Sequence, residues 1–106
     1  MENDNILQIE TDVVRMLKST YDPEIPVNIY DLGLIYKIDV NEEKHVEITM
    51  TLTAPNCPMA DELLDEVRIK AEGIEGVSGA TVNLTFDPPW DKNLMSEEAL
   101  LELGLL

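Results

Sequence analysis

The chain has one cysteine, and it stands where a strand pattern gives way to a helix pattern, in Leu52-Thr53-Ala54-Pro55-Asn56-Cys57-Pro58-Met59-Ala60. Proline favours the first position of a helix, where its missing N–H is no loss, so Pro58 in that position makes Cys57 the N-cap. The unpaired N–H groups of Met59 and Ala60 then point toward the sulfur. Such a location lowers a thiol pKa from its free value of about 8.5 and favours the thiolate, the form that attacks electrophiles and binds metals. Asp61 and Glu62 in the same first turn oppose this, so a partial depression is expected. N-caps favour oxygen side chains, and a cysteine there argues that its chemistry matters. A small apolar core residue is the alternative.

Several chemistries fall away at once. His45 is the only imidazole and precedes Thr53 by eight residues, roughly 25 Å of extended strand. A Cys-His enzyme is therefore not expected. With no second cysteine there is no dithiol redox pair and no internal disulfide, and one thiolate cannot complete a four-ligand zinc or cluster site. What remains is a one-ligand role for Cys57, completed by a second protomer, a small thiol or a partner protein. Asp22 and Glu24, held by Pro23 and Pro26, are fixed carboxylates that could act as hard ligands or hold a cationic partner; a solvated acidic turn is the plainer reading. The Thr53 hydroxyl ends the polar face of a strand four residues before Cys57 and could shape the same pocket, or it could reflect β-propensity alone. Trp90, beside two prolines, is either packed across a helix end or an aromatic anchor for a partner.

The elements that must position these residues are legible from periodicity. Ile6, Ile9, Val13, Met16 and Leu17 predict a helix over 5–19, with Asn5 and Gln8 in capping-box positions. Pro23 and Pro26 push the residues before them into extended conformations, making 22–26 a stiff connector. Asn28 to Gly33 follow as one helical turn closed by Gly33. Leu34, Tyr36, Ile38 and Val40 alternate with Ile35, Lys37 and Asp39, and Val46, Ile48, Met50 and Leu52 alternate with His45, Glu47, Thr49, Thr51 and Thr53. The connection Asn41-Glu42-Glu43-Lys44 makes these two strands a hairpin with a polar face through His45, Glu47, Thr49, Thr51 and Thr53. Ala60, Leu63, Leu64, Val67 and Ala71 predict a second helix stopped by Gly73, with its acids early and its bases late. Val82, Leu84 and Phe86 mark a third strand ended by Asp87-Pro88-Pro89. Ser96 opens a last helix to Leu103, with Met95 and Leu100 at staple positions and Gly104 at its exit. The order α-β-β-α-β-α gives a two-layer α/β (α+β) sandwich, one domain over 1–106, whose small mixed sheet is covered by helices on one face.

Composition bounds the partners. The 106 residues hold 22 Asp plus Glu against 7 Lys plus Arg, a net charge of −15 spread along the chain. A phosphate backbone would be repelled and no basic cluster is present to displace its counterions, so nucleic acid is not expected as a partner. An anionic leaflet is disfavoured likewise, and no apolar run approaches the about 20 residues of a membrane span. The opening Met-Glu-Asn-Asp-Asn carries acids where a targeting signal needs positive charge. A cytoplasmic location is expected.

Three blocks in this order, Asp22-Pro23-Glu24-Ile25-Pro26-Val27-Asn28-Ile29-Tyr30-Asp31-Leu32-Gly33-Leu34-Ile35-Tyr36, Thr51-Leu52-Thr53-Ala54-Pro55-Asn56-Cys57-Pro58-Met59 and Asp87-Pro88-Pro89-Trp90, resemble the SufT and PaaD-like family of iron-sulfur maturation factors, whose eukaryotic relatives work in cytosolic iron-sulfur assembly. The resemblance spans nearly the whole chain. It implies a fold like that of iron-sulfur scaffold domains and a pocket to which Asp22, Glu24, Thr53 and Cys57 contribute, with the cysteine tied to activity. It also implies partners among assembly proteins and apo client proteins. The N-terminal extension of longer SufT proteins and the C-terminal cysteines of PaaD proteins are missing. The expected function is that of an accessory factor, not an enzyme, in which Cys57 is a transient ligand to iron or an iron-sulfur cluster. A homodimer would offer two cysteines to a bridging cluster and would need further ligands from elsewhere. A metal-free adaptor recruiting clients through Trp90 and the last helix, and a single-cysteine thiol enzyme, are the rival readings.

Overall fold

The computed structural model describes residues 2–22, 25–53 and 60–104. The first helix, α1, spans Glu2–Lys18, and Ile9, Val13 and Leu17, four residues apart, form its buried stripe. It starts three residues before the expected Asn5. Nothing in Glu2–Asp4 interrupts a helix, and acids there suit the positive end of its dipole; Asn5 lies inside, and the Gln8 amide bonds Asp12 at 3.0 Å instead of reaching back to a cap. At the other end the Ser19 and Thr20 hydroxyls donate to Met16 O at 2.6 and 3.0 Å.

The connector then doubles back. Tyr21 and Asn28 form an isolated antiparallel bridge, and Asp22 N–H reaches Val27 O at 3.3 Å. Asn28 starts the expected turn, its Oδ1 accepting Asp31 N–H at 2.8 Å. Gly33 closes it at φ +83°: Gly33 N–H bonds Tyr30 O and Leu34 N–H bonds Ile29 O at 3.1 and 3.2 Å, the paired bonds of a Schellman ending that asks for a glycine.

Strands β1 (Ile35–Val40) and β2 (His45–Met50) pair antiparallel, with Val40 opposite Val46 and Ile38 opposite Ile48. Tyr36 is an extra residue at a bulge between Ile35 and Lys37. Helix α2 (Ala60–Glu72) turns Leu63, Val67 and Ala71 inward and leads to β3 (Gly79–Leu84), which pairs parallel to β2. The mixed sheet runs β1-β2-β3. The side chains of Val46, Ile48 and Met50 on its central strand have no solvent exposure; each contributes roughly 1.5–3 kcal/mol by leaving water. Lys37, Asp39, Glu47, Thr81 and Asn83 alternate with the inward residues and are exposed, so the face away from the helices carries the polar side chains, as the alternation requires.

The polar face is not wet to its end. Thr51, expected on it, has no exposure. The 28–34 turn crosses there, with Thr51 N–H donating to Leu34 O at 2.8 Å, and the Thr51 hydroxyl finds no partner among the described residues. After β3, which ends at Leu84 ahead of the prolines, the chain comes back toward β1: the Tyr36 hydroxyl donates to Pro88 O at 2.8 Å, and Trp90 Nε1 donates to Leu32 O at 2.7 Å. One 3-10 turn, Lys92–Leu94, is capped by Asp91. Helix α3, Glu97–Glu102, is capped by Ser96, whose Oγ accepts Ala99 N–H at 3.2 Å. Leu103 is its C-cap, not its last turn. Ser96 N–H bonds Asp31 O at 2.8 Å, and Ala99 is buried.

Two substitutions test this packing in urea denaturation. Ala at Gly33 must adopt a left-handed backbone and places a Cβ against the Leu94 carbonyl group, so Gly33→Ala is expected to lose more than about 2 kcal/mol. Gly104→Ala, with a similar φ but nothing within 4 Å among the described residues, should lose only the backbone term of about 1–2 kcal/mol. Thr51→Val removes an unsatisfied hydroxyl at nearly constant shape and should equal or exceed the parent by about 1 kcal/mol. A clear loss would mean that the hydroxyl has a partner.

Candidate functional site

The carboxyl end of β2 is fastened to the connector by a relay of main-chain hydrogen bonds. Thr51 N–H bonds Leu34 O at 2.8 Å, Leu34 N–H bonds Ile29 O at 3.2 Å, and Ile29 N–H bonds Thr20 O at 2.8 Å. Asp22 and Thr53 each lie two residues beyond the ends of this relay. The relay therefore ties the end of β2, through the 28–34 turn, to the end of α1 just before Asp22. In α/β sheets the carboxyl ends of strands are where ligands gather, because the strand-to-helix loops there are free of sheet pairing.

Asp22 is buried, with 7% exposure, and its Oδ1 accepts Ile25 N–H at 3.0 Å. The Asp22 carboxylate is thus held by the turn's own backbone and is not solvated. A carboxylate fixed this way can accept hydrogen bonds or serve as a hard oxygen ligand. Thr53 is half-buried, just past β2. Glu24 and Cys57 lie outside the described residues. Among the described residues no three His, Cys, Asp or Glu side chains converge on a point that could hold a metal.

His45 opens β2 at the opposite end, as expected, where its Nε2 lies 2.8 Å from the Thr81 hydroxyl on β3. Trp90 is partly buried against the core with its indole N–H bonded, which corresponds to the packed of the two arrangements considered for it; its exposed remainder faces solvent.

Two residues near this end gave no signal as site candidates. Thr51 read as one more residue on a wet face, and only the crossing of the 28–34 turn buries it. Lys70 read as a base suited to the end of α2. Its ammonium in fact reaches Glu66 at 2.7 Å and the buried Thr20 hydroxyl at 3.3 Å, tying α2 to the residue that begins the relay. No pattern within either segment announces a contact between residues fifty positions apart.

Comparison with known proteins matches this architecture to a family. Residues 10–84 match the family described as iron-sulfur cluster assembly protein. The chain is 60% identical to an Fe-S protein maturation auxiliary factor of Porphyromonas gingivalis over 104 residues, covering 98% of this chain and 99% of that one. It is 35% identical to another such factor from Bacillus subtilis, covering 92% and 95%. A crystal structure of a domain of unknown function from Bacillus anthracis superposes with a TM-score of 0.88 at 32% identity, covering 98% of this chain and 99% of that one. On the family match and the relatives together, the chain belongs to the iron-sulfur cluster assembly protein family.

Proposed function

We propose that this protein is a cytoplasmic accessory factor for iron-sulfur cluster assembly or delivery, acting as a single domain without enzymatic turnover, and that Cys57 is a transient ligand to iron or a cluster carried as cargo. The relatives' names support the general role. The observation that supports the site is the relay from Thr51 to Thr20, which links the chain just before the buried Asp22 to the end of β2, two residues before Thr53. Asp22, Glu24 and Thr53 shape the pocket in this reading.

The chemistry follows from ligand number. One thiolate per chain leaves most cluster positions to be filled by a client's cysteines, a small thiol or a second copy, so the cargo is held weakly. Transfer is then ligand exchange: an incoming client thiolate forms an iron–sulfur bond as the Cys57 bond breaks, with no change in oxidation state. Apo clients and assembly proteins are the partners, and the acidic surface favours basic faces on them.

Anaerobic reconstitution with ferrous iron and sulfide tests the ligand. The parent chain should develop thiolate-to-iron charge-transfer absorption that Cys57→Ser lacks. No absorption in the parent, or the same absorption in the variant, would favour a metal-free adaptor. Alkylation rate against pH addresses the thiol directly, and an apparent pKa at or above the free value would remove the N-cap argument. Asp22→Asn keeps an oxygen for Ile25 N–H and should fold normally yet retain less iron after reconstitution. Asp22→Ala leaves that amide unpaired and should also lose about 1–3 kcal/mol of stability.

A further inference from the structure

The two edges of the sheet are finished differently. At β1 the Tyr36 bulge, Lys37 and the returning 88–94 segment blunt the edge, the devices by which proteins prevent stray pairing. The outer edge of β3 has none of them: Gly79-Ala80-Thr81-Val82-Asn83-Leu84 contains no proline, charge or bulge, and among the described residues no strand pairs with it. Its direction can be worked out. Thr85 N–H bonds Met50 O at 2.9 Å, so by the two-residue period of the ladder Thr81 and Asn83 face β2, while the N–H and C=O groups of Ala80, Val82 and Leu84 point outward.

Beside this edge runs a groove of about 410 Å³ lined by Asp61, Leu64, Asp65, Arg68 and Val82. Leu64 and Val82 form its apolar floor, and Leu84 at the end of the strand remains 39% exposed. Phe86, expected to lie in the third strand, falls just beyond its end at Leu84 and is 41% exposed. Asp61 and Asp65, one helical turn apart and both exposed, set the charge of the rim. Arg68 does not cancel them, since its guanidinium is paired with Glu72 at 2.8 Å.

We infer that the outer edge of β3 is a docking site for an extended segment of a partner polypeptide whose side chains on the face toward α2, every second residue, include both apolar residues and Lys or Arg. The segment adds a fourth strand on the outward N–H and C=O groups of Ala80, Val82 and Leu84. Its apolar side chains fall on Leu64, Val82 and Leu84, and its cations reach Asp61 and Asp65. The charge selects this occupant over a second copy of the chain. Edge-to-edge pairing of two copies would oppose two Asp61–Asp65 rims on molecules that each carry −15, whereas a basic strand meets only opposite charge.

The test is a titration of the isotopically labelled full chain, followed by amide NMR and hydrogen exchange, with a short capped peptide whose valines and lysines share one face, each separated from the next by a threonine, and with its glutamate counterpart. The lysine peptide should shift β3 and α2 resonances and slow exchange at Ala80, Val82 and Leu84, with an affinity that falls as salt rises. Exchanging Asp61 and Asp65 for Lys, both on the exposed face of α2, should weaken it about tenfold or more. Val82→Pro, which removes an outward N–H and no bond to β2, should abolish it. If the proline variant fails to fold, the charge variant decides. Equal binding of the glutamate peptide, shifts confined to other surfaces, or self-association through β3 in place of peptide binding would overturn the proposal.

Discussion

The structure depends on β2 being the strand in the middle. A three-stranded sheet has only one position with both edges paired, and β2 fills it, antiparallel to β1 and parallel to β3. Its inward side chains therefore have strands on both sides and helices above, and Val46, Ile48 and Met50 are sealed from solvent. The helices are organised by the same strand: α1 and α2 each present a stripe of residues four apart to the apolar surface it centres.

The candidate site follows from where this strand ends. Beyond Met50 the chain loses its ladder, and its backbone groups must be paired some other way. The 28–34 turn takes them up, Thr51 bonding Leu34, Leu34 bonding Ile29 and Ile29 bonding Thr20. One set of bonds thus completes the sheet, anchors the connector and positions Asp22. The Trp90 indole locks the same turn through Leu32 O, so the returning C-terminal segment supports the site it does not enter. The arrangement exacts a local cost, in that the buried Thr51 hydroxyl has no hydrogen-bond partner among the described residues.

Charge and edge protection divide the surface by role. The net negative charge disfavours association of like molecules and favours basic partners at every face. Against that uniform background the edges differ: β1 is bulged and covered, β3 is plain and bordered by two carboxylates.

Much of this was legible in the chain itself, because it is written in local patterns. Helical and strand periods placed α1, the hairpin, α2 and β3, Gly33 and Ser96 marked a turn and a cap, and the prolines around Asp22 announced a stiff carboxylate. Local signals misled where neighbours distant in sequence decide the outcome. Asn5 looked like a cap because nothing in its own segment shows that the acids before it extend the helix. Thr51 looked wet because alternation describes a strand and not the turn that crosses it. Phe86 looked like part of the third strand, and Leu84 is 39% exposed at its end, because apolar spacing cannot say where a strand stops or whether it is central or at an edge. Residue type and spacing alone determined which elements form and which side chains could do chemistry. Only the tertiary structure decided that the end of β2 is tied through the 28–34 turn to Thr20, that Lys70 reaches Thr20 and that among the described residues no strand pairs with the outer edge of β3, since contacts between residues tens of positions apart depend on how completed elements pack and not on any pattern within them.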